Sequence, residues 1–100
     1  MTGAPTKAQR AFCRKLYLAG LIASGDHNLA TLSGVSGMPR RTVQDCLADL
    51  GDIGIDCQFE QQAGQRNNQG CYRISDWGPI DPQWVARQLP QLASLLTASD

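Results

Sequence analysis

Apolar positions recur every three or four residues along most of this chain, then every second residue over one short stretch. Thr6 is suited to cap a helix that runs to about Ser24, where Gly25-Asp26 stops it. Within it Phe12, Leu16, Ala19 and Ala23 fall at helical spacing and predict a buried stripe, with Lys7, Arg10 and Arg14 together on the other side. Toward its end Tyr17, Leu18, Leu21 and Ile22 make the helix apolar nearly all round. A helix of a small domain shows water one face, so these residues are expected to meet another element or another subunit.

Asn28 caps a short second helix, "LATLS", followed by a tight connection at Gly34-Val35-Ser36-Gly37. Pro39 is well placed in the first turn of a third helix, 39–52, whose core stripe is Val43, Leu47 and Leu50. Gly51 and Gly54 end it. The period then becomes two: Ile55, Cys57 and Phe59 alternate with Asp56, Gln58 and Glu60, the mark of a half-buried strand. After the polar loop "QAGQRNNQG", the segment "CYRIS" supplies a second strand with Tyr72 and Ile74 inward and Arg73 outward. Asp81 and Pro82 open a last helix carrying Trp84, Val85, Leu89, Leu92 and Leu96. Pro90 inside it is expected to kink or break it near Ala86.

The chain has 100 residues, of which 42% are hydrophobic, enough for one small domain without a deep active site. Nine basic residues balance nine acidic ones, so net charge favours no partner. Their placement is more informative. Lys7, Arg10, Arg14, Lys15, Arg40 and Arg41 face only Asp26 in the first part of the chain. Asp45, Asp49, Asp52, Asp56 and Glu60 then follow without a basic residue among them.

Cys13, Cys46, Cys57 and Cys71 are widely spaced and His27 is the single histidine, which speaks against a zinc site. Most of these cysteines sit on core faces, so free thiols in a reducing compartment are expected, with Cys71, near Arg66 and Arg73, the best placed to sense oxidants. Basic residues before "LYLAGLIA" loosely imitate a secretory leader, but cleavage there would delete a helix the domain needs. No stretch approaches the roughly 20 apolar residues of a membrane span. A cytoplasmic protein is expected. No nucleophile is paired with a histidine base, and no glycine-rich phosphate loop or metal cluster appears, so neither an enzyme nor a cofactor is expected.

Helix, short helix, tight turn, helix and two-stranded hairpin form the layout of a winged helix-turn-helix domain. The stretch "LATLSGVSGMPRRTVQDCLADLGDIGI" resembles the helix-turn-helix of bacterial winged-helix regulators, and "GCYRISDWGPI" resembles the second wing strand of a small group of bacterial proteins of that class. The resemblance covers roughly residues 6–80 and implies an α+β fold: a three-helix helix-turn-helix core, a two-stranded β-hairpin wing and a C-terminal helix. Residues 1–5 are expected to be a flexible end, and 81–100 a C-terminal helix that serves dimerisation. Such domains are often basic overall, and this chain is not.

The resemblance implies double-stranded DNA as partner, with helix 39–52 in the major groove and the wing, 62–70, on the backbone or minor groove. With Val43, Leu47 and Leu50 buried, Arg41 and Asp45 lie at the centre of the outward face, flanked by Arg40 and Gln44 on one side and Thr42 on the other. Arg41 suits guanine, Gln44 adenine, Asp45 a cytosine amino group, and Thr42 with the free N–H groups of the first helical turn a phosphate. The helix dipole disfavours arginines at a helix start, so local stability does not account for Arg40 and Arg41. Arg66, Asn67 and Asn68 at the wing tip are placed to touch the minor groove or backbone. Lys7, Arg10 and Arg14 either touch a flanking phosphate or are simply solvated. A monomer neutralises few phosphates, so a homodimer is expected, joined through Leu18, Leu21, Leu89, Leu92 and Leu96. The rival reading is a winged-helix protein-interaction module without DNA, favoured by the acidic block beside the reading surface.

Overall fold

A computed structural model describes residues 6–61 and 70–98. The elements follow in the order α1 (Lys7–Ser24), α2 (Leu29–Ser36), α3 (Arg40–Ala48), a 3-10 helix (Asp49–Ile53), β1 (Asp56–Gln61), β2 (Gly70–Asp76) and α4 (Pro82–Ala98). This is the α+β architecture expected from the sequence: a three-helix core, an antiparallel hairpin and a C-terminal helix. The expected flexible end at 1–5 lies outside the described residues.

Two helices begin with reciprocal side-chain caps. Thr6 Oγ1 accepts from the Gln9 N–H at 3.1 Å, while the Thr6 N–H donates to Gln9 Oε1 at 2.8 Å. Asn28 and Thr31 repeat the arrangement at the start of α2. Asp81 Oδ1 accepts from the Gln83 N–H at 2.9 Å at the start of α4.

Burial on α1 departs from the expected stripe. Phe12 is 41% exposed and Ala23 is also exposed, whereas seven consecutive residues, Leu16 to Ile22, are buried. Every side of the helix's second half is covered, because α3, β2 and α4 all pack against α1. The closest approach is at Gly20, where a Cβ would lie 2.6 Å from Leu89 Cδ2 and 2.9 Å from Val85 Cγ1. Only a residue without a side chain lets α4 lie this near.

This packing corrects the expected subunit interface. Leu18 is fully buried and Leu21 and Leu92 nearly so, all in one core cluster of the single chain, with Leu89 and Leu96 packed on its edge. The apolar surplus of α1 is met by α4 of the same chain. Pro90 does not break α4, which continues helical through Ala86 and Pro90 to Ala98.

Two boundaries also shift. Gly34, Val35 and Ser36, expected in the connection, belong to α2, which ends one residue later at Gly37 in the left-handed region (φ 75°). The third helix is α only to Ala48 and tightens to 3-10 over Asp49–Ile53, ending at Gly54 (φ 88°). Pro39, expected in the first turn, instead takes the N-cap position just before α3. The tightening carries Leu50 fully into the core and lets the Ile55 N–H donate to Leu50 O at 3.1 Å, setting the start of β1.

In the hairpin, Phe59 pairs with Tyr72 and Cys57 with Ile74. Phe59 was expected inward but is 42% exposed; its ring meets Tyr72 edge-on at 5.0 Å instead of entering the core. The connection after α1 runs beside β2, where the Tyr72 N–H donates to His27 O at 2.8 Å. Arg73 bonds Asp26 at 3.0 Å across the same junction and lies 3.8 Å from Glu60. Cys71 is buried there, so the exposure an oxidant-sensing thiol needs is missing.

Candidate nucleic-acid interface

The turn before α3 is pinned by short local bonds. Gly37 N–H donates to Ser33 O at 3.0 Å, Ser33 Oγ donates to Met38 O at 2.6 Å, and the Met38 N–H donates to Ser36 Oγ at 3.1 Å. A left-handed glycine and two serines thus fix the direction in which α3 leaves α2. Val43, fully buried, and half-buried Leu47 anchor the inner side of α3.

That anchoring turns the opposite side outward. Arg40, Arg41, Gln44 and Asp45 are exposed and Thr42 is half-buried, so the helical face expected from the sequence is assembled on α3. Among the described residues, neither the Arg40 nor the Arg41 side chain has a hydrogen-bond or ion-pair partner. Pro39 gives α3 no side-chain cap, leaving the first-turn N–H groups directed at the same end as the two guanidiniums.

The acidic block begins on this face. Asp45 lies one turn beyond Arg41, while Asp49 lies about 12 Å from Arg41 along the axis at 1.5 Å per residue. That exceeds the Debye length of about 8 Å at physiological salt, so Asp49 and Asp52 do little to cancel the field at the helix start. The surface is polar in charge, cationic at its beginning and anionic past its middle.

The structure adds residues that the sequence left unplaced. Arg10 and Arg14 of α1 line a cleft of about 280 Å³ together with Gly37, Pro39 and Thr42 at the start of α3, and Leu96 of α4 forms part of its wall. Helical spacing of Lys7, Arg10 and Arg14 was visible along the chain. Which element they neighbour was not, because it depends on how α1 crosses α3. The wing-tip candidates Arg66, Asn67 and Asn68 lie outside the described residues.

The thiols on this side are held protonated by their surroundings. Burial raises the pKa of Cys46, with Lys15 and Arg14 pulling it back down and Asp49 and Asp45 adding to the rise. Burial and Asp56 push the Cys57 thiol up to about 11, and burial raises Cys13. Among the described residues, no cluster of histidine, cysteine and carboxylate side chains is gathered as for a metal ion. No described helix is long and apolar enough to cross a membrane.

Comparison with known proteins agrees with this architecture. A crystal structure of a DUF2131 family protein from Shewanella amazonensis SB2B superposes with a TM-score of 0.87 and 45% sequence identity, covering 96% of this chain and 98% of that one. No curated protein matches the chain. The model of a winged helix-turn-helix family matches residues 7–96, which takes in the helix-turn-helix, the hairpin strands and nearly all of α4, and the chain belongs to that family.

Proposed function

We propose that the chain is a sequence-specific double-stranded DNA-binding protein, a bacterial transcriptional regulator acting in the cytoplasm. Membership of a winged helix-turn-helix family points to nucleic-acid binding. The observation that carries the finer reading is the pair Arg40 and Arg41, exposed and unpaired among the described residues at the first turn of α3. In this reading α3 enters the major groove start-first. Arg41 grips guanine bidentately, Gln44 reads adenine and Asp45 accepts from cytosine, while Arg40, Thr42 and the first-turn N–H groups hold a phosphate. The wing, 62–70, with Arg66, Asn67 and Asn68, lies on the backbone or minor groove. Two copies bind two half-sites one helical turn apart.

Binding to mixed duplex DNA over a range of salt tests this. Affinity is expected to fall steeply as salt rises, and Arg41→Ala to weaken binding by about 1–3 kcal/mol while blurring sequence preference. A wild-type chain that ignores duplex at low salt refutes it.

One observation favours a second reading. Asp45, Asp49, Asp52, Asp56 and Glu60 are all exposed and follow one another past the middle of α3. A protein partner with a basic surface suits that strip, in which case the fold serves protein interaction and DNA is not bound. A stoichiometric protein complex lost on Asp49→Lys, with no duplex binding, selects this alternative.

A further inference from the structure

A second concavity, of about 320 Å³, lies along α1 and is walled by Lys7, Arg10 and Arg14. It shares Arg10 and Arg14 with the cleft that reaches Pro39 and Thr42 at the start of α3. The two concavities adjoin at these side chains and together form a basic track from the first turn of α1 toward the first turn of α3. No described acidic residue lines either concavity. This contrasts with the outer face of α3, where Asp45 already lies beside Arg41. The cleft, of about 280 Å³, is open to water as well as bordered by cations.

We infer that this track binds phosphoryl groups and that its occupant is the backbone of a nucleic-acid strand, with Lys7 and Arg14 as counter-charges and Thr42 as a hydroxyl donor. The identity of the strand rests on the DNA-binding reading above; the track itself is separate from the base-facing side of α3. Its chemistry differs accordingly. Point charges and a hydroxyl aimed at phosphates neutralise a backbone without reading bases, so the track adds affinity and salt dependence equally for every sequence. It also widens the footprint of a chain whose net charge is zero. Segregation of charge, rather than excess, then supplies the attraction.

Two measurements test the track. In the first, duplex binding is followed against salt for wild type, Arg14→Gln, Arg14→Lys and Arg41→Ala, with thermal unfolding as the check on folding. Loss of one phosphate contact lowers the slope of log affinity against log salt by about 0.9. Arg14→Gln is expected to show that loss with sequence preference intact, Arg14→Lys to retain the slope, and Arg41→Ala to change the preference. A wild-type slope and affinity in Arg14→Gln, with wild type binding duplex, overturns the track and leaves the DNA-binding reading standing. In the second, amide resonances are followed during titration with inorganic phosphate against chloride at matched ionic strength. Saturating shifts at Arg14 and Thr42, absent in Arg14→Gln, are expected. Uniform, non-saturating shifts overturn phosphoryl binding. Saturating shifts in a chain that binds no duplex assign the track to a free phosphoryl anion, and overturn the strand as its occupant.

Discussion

The two halves of α1 are built from the same helix and live in opposite environments. From Lys7 to Lys15 the helix keeps Lys7 and Phe12 exposed and Arg10, Arg14 and Lys15 half-exposed. From Leu16 to Ile22 it is covered on every side. The difference is set by neighbours. The second half is clasped by α4, which approaches closely at Gly20 through Val85 and Leu89. The first half faces the start of α3 across a water-accessible cleft. One helix thus holds the domain together with one end and offers cations with the other, and the two tasks are expected to respond to mutation separately.

The largest effect is expected in the buried half. Leu18→Ala removes most of a fully buried side chain and should cost about 3 kcal/mol in denaturant unfolding, with the midpoint falling and the slope unchanged. A loss well under about 1 kcal/mol would mean that α1 is less tightly enclosed than described. Gly20→Val drives two methyl groups toward Leu89 and Val85 and should destabilise by about 2 kcal/mol, read in the same way. At the other end, Thr6→Ala removes one half of the capping box and should cost about 1 kcal/mol, seen as earlier thermal unfolding. The same variant should leave the core of α1 protected in hydrogen exchange, since capping acts on the first turn only.

A smaller effect follows from Cys57, which packs on the cluster around Ala19, Leu50 and Ile55. Its thiol is raised to about 11, chiefly by burial and then by Asp56. A raised pKa means that the folded state favours the protonated thiol. The contribution is therefore fully present below the ordinary thiol value and is lost as pH climbs through about 11. Unfolding free energy should decline over that alkaline window in wild type and less so in Cys57→Ala. Thiol alkylation at neutral pH should be correspondingly slow at Cys57 until the chain is unfolded. Equal slopes for both proteins would remove Cys57 as the titrating group.

Much of this molecule follows from short-range signals. Caps at Thr6 and Asn28, the break at Gly25-Asp26, the change of period at Ile55 and the cap at Asp81 each act within a few residues, and each element appears near its expected place. The outward face of α3 was likewise legible, because burying Val43 and Leu47 leaves only one side for Arg41 and Asp45. Local patterns also miss in an instructive way. Phe12 and Ala23 have the spacing of a core stripe, yet both are left exposed among the described residues, while Leu18 and Leu21 resembled an interface because their cover comes from a helix more than 60 residues away.

The sequence by itself determined the order and kind of the elements, since periodicity, caps and glycine turns are properties of neighbouring residues. Tertiary structure alone decided that α4 closes over α1 and that Arg10 and Arg14 share a cleft with Thr42. Those relations depend on helix-to-helix packing between distant segments, and hydrophobic attraction fixes which residues leave water without specifying which partner they meet.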